Sequence, residues 1–379
     1  MPTSPSSLRA GPGPSPVAGL TPDALEAAAR RLLPEDVRAY VAAGAGRETT
    51  LRANAAAWPR LPLRPRALAA TGTVSTAVTV LGTPLATPVL VAPTASHALL
   101  SPEAEPGTAR GAAAAGSLFV LSTRSSTPLE EVAAAAGPWW FQVYVLRDRG
   151  LTRELAARAA AAGAGALVLT ADTPVLGRRD AGPRPRLLPP GRGPLAVLGR
   201  DADRDATLLE QDPLAGWADV AGLAAASGLP VVVKGVLRAD DAHRAGEAGA
   251  AAVVVSNHGG RQLDGAVDTA TALPEVAAAV GTDLEVYVDG GLRRGTDVLR
   301  ALGLGARAVL LGRPVQWALA VGGGDGVRDL LTGVTDELAA ALQLAGCPDA
   351  AAVPRDLVGA GALPGGAADR SDTDGEERT

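Results

Sequence analysis

Eight short and almost continuously apolar segments recur along the central part of the chain. Most consist of valine, leucine and alanine without a regular polar alternation, which is typical of parallel strands buried on both faces. The segments are Pro88–Ala95, Leu118–Thr123, Trp140–Val145, Ala166–Ala171, Pro230–Gly235, Ala252–Ser256, Leu284–Asp289 and Ala308–Gly312. This pattern predicts eight buried strands.

Helical segments separate these strands. After the second strand, Thr127-Pro-Leu-Glu130 offers an N-cap threonine, a proline for the first helical position and a glutamate for the third, so we predict that Thr127 caps a helix. Further helices are predicted at Leu151–Ala162, Trp217–Ala226, Ala239–Ala248, Thr271–Val280 and Gly295–Leu302. Before the first strand, the pattern predicts helices Pro22–Leu33 and Glu35–Ala42 and a hairpin near Val78–Thr83.

Alternation of strands and helices places the chain in the α/β class. Eight strand–helix units predict a closed (β/α)₈ TIM barrel, preceded by the N-terminal helices. An open doubly wound sheet is the alternative. It requires a glycine-rich loop after the first strand, and Ala92-Pro-Thr-Ala-Ser96 has no glycine.

One long segment interrupts the regular spacing after the fourth strand. Residues 177–214 are rich in proline, arginine, glycine and aspartate, and an insert of this size on a catalytic face is more often a lid than packed structure. Residues 1–18 and 364–379 lack apolar periodicity and are predicted to be disordered tails. Residues 19–363 then form a single domain.

Composition narrows the possible partners. Hydrophobic residues make up 47% of the chain, which is enough for a large core, and the net charge of −5 argues against nucleic-acid binding. Cys347 is the only cysteine, so no disulfide and no cysteine-based metal site is expected. We find neither a secretion signal nor an apolar run long enough to span a membrane, and we expect a cytoplasmic protein.

Lys234 is the only lysine among 35 basic residues. Where arginine has replaced lysine elsewhere, a remaining lysine indicates a position that needs a compact ammonium charge rather than a planar guanidinium. It ends the fifth predicted strand, and chance is the alternative explanation.

Polar side chains gather where the predicted strands end, which is the catalytic side of such barrels. They are Thr94, Ser122, Gln142, Tyr144, Thr170, Asp172, Lys234, His258, Arg261, Asp289 and Arg313. The loops after the last two strands, Asp289-Gly-Gly-Leu-Arg-Arg-Gly295 and Gly312-Arg-Pro314, combine glycines with arginines and predict a phosphate site. A glycine turn with solvated arginines is the alternative.

The loop after the sixth strand, Ser256-Asn-His-Gly-Gly-Arg-Gln-Leu-Asp264, carries the most specific chemistry. His258 would be exposed at the barrel mouth, where it could accept a proton. Arg261 could bind a carboxylate through two parallel hydrogen bonds, and Asp172 could orient the imidazole and stabilise its protonated form.

These segments resemble the FMN-dependent 2-hydroxy-acid oxidases and dehydrogenases, a family that includes glycolate oxidase, lactate oxidase, lactate monooxygenase, mandelate dehydrogenase and hydroxymandelate oxidase. The resemblance extends from about Leu33 to Gly346. Besides the loop at His258, it rests on Asp289–Asp297, Leu169–Arg179 and Val232–Gly235.

The resemblance implies that flavin mononucleotide (FMN) is bound at the strand ends. Its ring would contact Pro93, Thr94 and Ala95, accept or donate hydrogen bonds at Ser122, Gln142 and Thr170, and lie beside Lys234 and Ser256. Its ribityl and phosphate groups would be held by Asp289, Gly290, Gly291, Arg293, Gly312 and Arg313.

The resemblance also implies the substrate and its chemistry. An (S)-2-hydroxy acid would be oxidised to the 2-oxo acid, with Arg179, Arg261 and Tyr40 binding its carboxylate and Tyr144 contacting its hydroxyl side. His258 would be the base, supported by Asp172. The electron acceptor would be oxygen or a quinone, and the assembly a homotetramer or homo-octamer.

Two positions depart from the family pattern and both would border the tail of the substrate. They are Ser96, where many members have a bulky residue, and Arg124, where glycolate-oxidase-like members have an aromatic residue. If Arg124 is buried, it would pair with a protein carboxylate, stack on an aromatic ring or contact a polar substrate tail. Otherwise it would point to solvent or pair with Glu130 or Glu131.

Two other functions compete with this one. An FMN-dependent barrel isomerase of the isopentenyl-diphosphate type has no use for two carboxylate-binding arginines beside a histidine base. A barrel that only binds flavin would not need the set of proton-transfer residues.

Overall fold

The computed structural model describes residues 15–180, 196–198 and 206–359, and a closed barrel of eight parallel strands forms its centre. The strands are β3 (Val89–Val91), β4 (Phe119–Ser122), β5 (Trp139–Val143), β6 (Leu167–Thr170), β7 (Val231–Val236), β8 (Ala252–Val255), β9 (Glu285–Val288) and β10 (Ala308–Leu311). They pair in chain order, and β10 closes the barrel against β3. The predicted (β/α)₈ barrel is therefore confirmed, and each strand overlaps its predicted segment.

The helices surround the barrel and precede it. Their bounds are α1 (Pro22–Leu32), α2 (Glu35–Ala42), α3 (Thr49–Arg60), α4 (Ala104–Ala114), α5 (Leu129–Ala135), α6 (Arg149–Ala161), α7 (Ala218–Ser227), α8 (Ala239–Glu247), α9 (Thr269–Val280), α10 (Gly295–Gly303) and α11 (Arg313–Ala345). The predicted hairpin is present as β1 (Val78–Val80) paired with β2 (Thr83–Leu85). Among the described helices, none is both long and apolar enough to cross a bilayer.

Helix α3 was not predicted, because the face that it buries is not apolar. Its buried residues Thr50, Asn54 and Trp58 recur at the helical spacing of four, but two of them are polar. Asn54 and Trp58 bind the loops after β8 and β9, so α3 supports the side of the barrel mouth.

The prediction that the Thr127 side chain caps α5 was wrong. Pro128 occupies the N-cap position, and the Thr127 hydroxyl instead donates to the buried carboxylate of Glu105 at 2.8 Å. A buried acceptor competes with the local N-cap bond, and sequence spacing does not reveal that competitor.

The predicted tails and insert are described only in part. Residues 15–18 of the N-terminal segment form a turn against α11, where the backbone N–H of Ser15 donates to Asp329 at 2.7 Å and Val17 is buried. Residues 1–14 and the whole C-terminal segment 364–379 lie outside the described residues. Most of the 177–214 insert does too, so its role as a lid stays a prediction.

Candidate active site

Lys234 lies near the end of β7, and its ammonium group contacts residues from the ends of the next two strands. It contacts the Asp289 carboxylate at 3.0 Å and donates to the Ser256 hydroxyl at 2.9 Å. Burial by itself would lower the pKa of Lys234, but the carboxylates of Asp289 and Asp172 outweigh it and hold that pKa above its ordinary value. Lys234 therefore stays charged, and these contacts use two of its three N–H donors.

His258 and Asp172 form a hydrogen-bonded pair beside Lys234. The imidazole Nδ1 lies 2.9 Å from Asp172 Oδ1, and the backbone N–H of His258 donates to Ser256 at 3.0 Å. Burial would raise the pKa of Asp172, but His258 and Lys234 outweigh it and keep that pKa below its usual range. The carboxylate is thus ionised, and within the described part of the chain the Nε2 atom of His258 has no hydrogen-bond partner.

Backbone geometry at this loop explains why His258 projects into the mouth. His258 has a φ of 59°, and Gly259 and Gly260 follow in the same left-handed region. Only glycine adopts this region freely, so the histidine is held there by its surroundings. Asn257 provides part of that support through a reciprocal amide pair with Asn54 on α3, at 2.7 and 2.9 Å.

Arg261 is fixed by the end of α2. Its Nη1 and Nη2 atoms donate to the carbonyl oxygens of Tyr40, Val41 and Ala43 at 2.9–3.1 Å. The last carbonyls of a helix have no partner within the helix, and a cation satisfies them well. These bonds use Nη1 and one N–H of Nη2, and within the described residues Nε has no hydrogen-bond partner, so the Nε–Nη2 edge could bind a carboxylate.

Arg313 is fixed by the same carbonyls, since it donates to Val41, Ala43 and Gly259 at 3.0 Å. Burial and the neighbouring arginines lower the pKa of Arg313 to about 9, and burial and Arg179 lower that of Arg261 to about 10. Burial also lowers the pKa of Arg293. Arginine keeps its proton in proteins, so these shifts reflect positive charge that an anion would stabilise.

Arg179 and Tyr40 complete this side of the mouth. The guanidinium carbon of Arg179 lies 5.3 Å from the Tyr40 ring centre, and that of Arg261 lies 5.4 Å from it. The Tyr40 ring is therefore close enough to stabilise both cations. The backbone of Arg179 pairs with Gly46, which ties the start of the insert to the segment after α2.

A line of polar side chains crosses the ends of β4, β5 and β6. Ser122 donates to Gln142 Oε1 at 3.1 Å, and Gln142 Nε2 donates to Thr170 at 2.9 Å. All three are buried among apolar strands, where a fully hydrogen-bonded network stays rigid. Their groups can present donors and acceptors to a planar heterocycle that carries both.

Across the barrel from β5, the segment after β9 has a carboxylate oxygen without a hydrogen-bond partner among the described residues. Its backbone also packs closely against α3. Asp289 Oδ1 is buried without a hydrogen-bond partner in the described structure. Gly290 and Gly291 have φ of 89° and 87°, and a Cβ on Gly291 would meet the backbone of Asn54. A hydroxyl-bearing ligand chain at Asp289 would satisfy the free oxygen.

Tyr144 and Arg124 lie together just beyond the ends of β5 and β4. The guanidinium carbon of Arg124 is 6.0 Å from the Tyr144 ring centre, and its Nη2 donates to the carbonyl of Leu209 at 2.7 Å. Burial raises the pKa of Tyr144 to about 12, so its hydroxyl remains protonated. Glu130, one of the acids considered for Arg124, instead binds Arg158 at 2.9 Å.

The segment after β3, which is adjacent to β10 in the barrel, contributes the last group of residues at the mouth. Pro93, Thr94 and Ala95 are partly exposed, and a Cβ on Gly312 would lie 3.7 Å from the Thr94 methyl group. Thr94 Oγ1 lies 2.7 Å from the ring of His97, a buried residue to which the sequence assigned no role. Ser96 is also buried and has a φ of 61°.

The structure thus brings the predicted residues to one mouth, with Tyr40 contributed by α2. It adds residues that sequence reasoning missed, namely Asn54, Trp58, His97 and the carbonyl group at the end of α2. The spacing of four residues between Asn54 and Trp58 could have predicted that both lie on one helix face. Backbone carbonyls, in contrast, are common to all residues, so a sequence does not show which of them bind an arginine. An FMN molecule fits the donor set: a planar ring at the polar line and Lys234, a polyol at Asp289 and an anion at the arginines.

Comparison with known proteins agrees with an FMN site at the barrel mouth. The family model described as FMN-dependent dehydrogenase matches residues 29–360. An L-lactate oxidase of Nostoc sp. is 47% identical over 325 residues, covering 81% of this chain and 89% of that protein. A peroxisomal (S)-2-hydroxy-acid oxidase of Oryza sativa subsp. japonica is 43% identical over 340 residues, covering 87% and 93%.

Among solved structures, a mandelate oxidase variant with a C4a-OH-FMN adduct superposes with a TM-score of 0.80 at 44% identity, covering 87% of this chain and 97% of its own. The fold and the mouth define a flavin-dependent oxidoreductase. The chain belongs to the FMN-dependent dehydrogenase family, and FMN is its cofactor.

Proposed function

We propose that the protein catalyses the FMN-dependent oxidation of an (S)-2-hydroxy acid to the 2-oxo acid. The observation that carries the proposal is the pairing of His258 with the ionised Asp172, 2.9 Å apart, on the loop that also carries Arg261 three residues later. A base next to a carboxylate-binding arginine suits a substrate whose hydroxyl and carboxylate are on adjacent carbons. The names of the related oxidases support this substrate class.

His258 would accept the proton of the substrate. Its Nδ1–H would donate to Asp172, which leaves Nε2 as the acceptor for the hydroxyl proton of the substrate. The imidazolium that forms is stabilised by the adjacent carboxylate. FMN, when bound, supplies the two-electron oxidation, and the ammonium of Lys234 would stabilise the negative charge that accompanies reduction.

The arginines and tyrosines of the barrel mouth would orient the substrate. The Nε–Nη2 edge of Arg261 would hold the carboxylate bidentately, with Arg179 and Tyr40 on its other side. Tyr144, whose hydroxyl stays protonated, would donate a hydrogen bond to the hydroxyl side of the substrate. Together these contacts would fix the reacting carbon in front of the cofactor.

Cofactor binding would follow the donor set of the mouth. Pro93, Thr94 and Ala95 would contact the ring, and Ser122, Gln142, Thr170 and Ser256 would bond its polar edge. Asp289 Oδ1 would accept from the ribityl chain, and the backbone of Gly290 and Gly291, which packs against Asn54, would hold the loop in place beside it. Arg293, Arg313 and the backbone at Gly312 would bind the phosphate.

Arg124 and Ser96 would set the tail preference. The guanidinium beside Tyr144 favours acids with a polar, anionic or aromatic tail over glycolate. The proposal further includes oxygen or a quinone as electron acceptor, a homotetramer or homo-octamer, and a cytoplasmic location. Neither an isomerase nor a flavin-storage role uses the paired base and carboxylate-binding arginine.

Anaerobic titration of the purified yellow protein with a panel of 2-hydroxy acids tests the function. The flavin absorbance should bleach with (S)-2-hydroxy acids, and the 2-oxo acid should accumulate in equal amount. The (R) enantiomers and simple carboxylic acids are the matched controls and should leave the absorbance unchanged. Bleaching by dithionite but by no 2-hydroxy acid would contradict the proposal.

A further inference from the structure

A fully buried polar cluster lies behind the barrel mouth and has no part in the reaction above. We define the Glu105 cluster as Glu105 and Thr108 of α4, His97 of the segment after β3, and Ser126 and Thr127 of the segment after β4. Glu105, His97 and Thr108 are each 0% exposed. Burying a carboxylate and an imidazole is costly unless every polar atom is satisfied, so the arrangement calls for a functional explanation.

Glu105 ties two rim segments to one point. Its Oε1 accepts from the backbone N–H of His97 at 3.0 Å and of Ser126 at 2.8 Å. Its Oε2 accepts from the hydroxyls of Ser126 at 2.7 Å and Thr127 at 2.8 Å. Burial would raise the pKa of Glu105, but the hydrogen bonds from Ser126 and from the His97 backbone favour the ionised form, and that pKa is lowered. The carboxylate is therefore an ionised anchor.

His97 connects this anchor to the mouth. Its Nδ1 lies 2.9 Å from the Thr108 hydroxyl and its Nε2 lies 2.7 Å from the Thr94 hydroxyl. Burial lowers the pKa of His97 and favours the neutral ring. A neutral imidazole has one donor and one acceptor nitrogen, so the protonation of Nε2 decides whether the Thr94 hydroxyl donates to the ring or accepts from it. Thr94 is partly exposed at the mouth, unlike the residues behind it.

We propose that His97 is a positioning residue that fixes the Thr94 hydroxyl against the flavin and thereby sets the reduction potential of the cofactor. The inference rests on the placement of FMN at Thr94 in the proposed function. A hydroxyl held in one direction stabilises one redox state of the ring over the other, whereas a freely rotating hydroxyl adapts to both. One neutral hydrogen bond corresponds to about a 3- to 10-fold change in the equilibrium constant.

The experiment measures the two-electron potential of the FMN-loaded protein by chemical reduction, without any hydroxy acid, for wild type, Thr94→Val, His97→Leu and the double variant. Both single variants should shift the potential in the same direction, by about 15–30 mV for a 3- to 10-fold change. The double variant should shift it no further, because His97 acts through Thr94. His97→Gln, which retains a donor and an acceptor, should stay close to wild type, as should the exposed control His243→Leu.

An unchanged potential in Thr94→Val overturns the inference by itself, even if His97→Leu folds poorly. Additive shifts in the double variant also overturn it, because His97 would then act by another route. Since no substrate is present, these outcomes are independent of whether a 2-hydroxy acid is oxidised. Circular dichroism and FMN stoichiometry verify that each variant is folded and loaded.

Discussion

His258 is constrained from two directions at the residue scale. Its backbone has a φ of 59° and donates to Ser256, while its side chain is bonded to Asp172 at 2.9 Å. Rotating the imidazole away would break a charge-assisted hydrogen bond within a partly buried site. The ring is therefore oriented before any substrate arrives, and such orientation contributes to catalysis.

Replacing this residue tests the assigned base. In His258→Ala, FMN should stay bound, but reduction by substrate should slow by roughly 10²–10⁴-fold, as is usual when a general base is removed. Anaerobic stopped-flow absorbance measures the rate, and His243→Ala on the exposed face of α8 is the matched control. A rate within about threefold of wild type, far below that range, would show that another group accepts the proton.

Arg124 permits a prediction about substrate choice. Its guanidinium lies over Tyr144 and makes a single hydrogen bond within the described residues, to Leu209, so other donors can reach a substrate tail. Acids with polar, anionic or aromatic tails should have a higher kcat/KM than glycolate. Arg124→Leu should reduce that preference by about 1.5–3 kcal/mol, the cost of a lost charged hydrogen bond.

A substrate panel on both proteins checks the preference, with the exposed Arg244→Leu as control. If wild type and Arg124→Leu rank the acids in the same order, Arg124 does not contact the tail.

At the scale of elements, the carboxyl end of α2 organises the anion side of the mouth. The carbonyl of Val41 near its end and that of Ala43 just after it accept hydrogen bonds from Arg261, on the loop after β8, and from Arg313, the first residue of α11. Helix α3 supports the other side, where Trp58 donates to the carbonyl of Gly290 at 2.8 Å. Both helices precede the barrel in sequence, yet they position residues that follow much later.

The packing of these strands and helices explains which elements could be predicted from the sequence and which could not. Buried parallel strands have a continuous apolar pattern, so the eight strands and their polar ends were accessible, and Lys234 was conspicuous as the only lysine. Helix α3 was missed because it buries Thr50 and Asn54 rather than apolar residues. The cap of α5 was missed because Thr127 donates to Glu105, which lies 22 residues away along the chain.

Gly291 provides a test of the contact between α3 and the loop after β9. Its φ of 87° strains any other residue, and a Cβ there would also meet the backbone of Asn54. Gly249 is a matched control, since its φ is 88° and no atom lies within 4 Å of an added Cβ. Gly249→Ala should cost only the backbone strain, on the order of 1–3 kcal/mol.

Gly291→Ala should lower the free energy of unfolding further and weaken FMN binding, because α3 must move. Urea unfolding and FMN titration measure the two effects. Equal destabilisation of both variants would mean that the approach of α3 to this loop is not restrictive.

At the scale of the whole molecule, positive charge accumulates on one side of the mouth. Arg261, Arg293 and Arg313 all have pKa values lowered by burial, and within the described residues none of them forms an ion pair with a carboxylate. Keeping such cations partly buried without an anion costs stability. The free energy of folding and the binding of an anionic cofactor should therefore be coupled.

Comparing FMN with riboflavin, which has the same ring and ribityl chain but no phosphate, tests this coupling. At equal concentrations FMN should raise the Tm of the apoprotein more, since a ligand at 100 times its Kd adds about 2.7 kcal/mol and riboflavin would be far from saturation. Arg293→Gln and Arg313→Gln should each lower FMN affinity by roughly 10- to 150-fold, as expected for a lost charged hydrogen bond of about 1.5–3 kcal/mol, while leaving riboflavin affinity nearly unchanged. Arg244→Gln, on the exposed face of α8, should behave as wild type. If FMN and riboflavin stabilise the apoprotein equally, the phosphate does not bind at these arginines, and their uncompensated charge requires another anion.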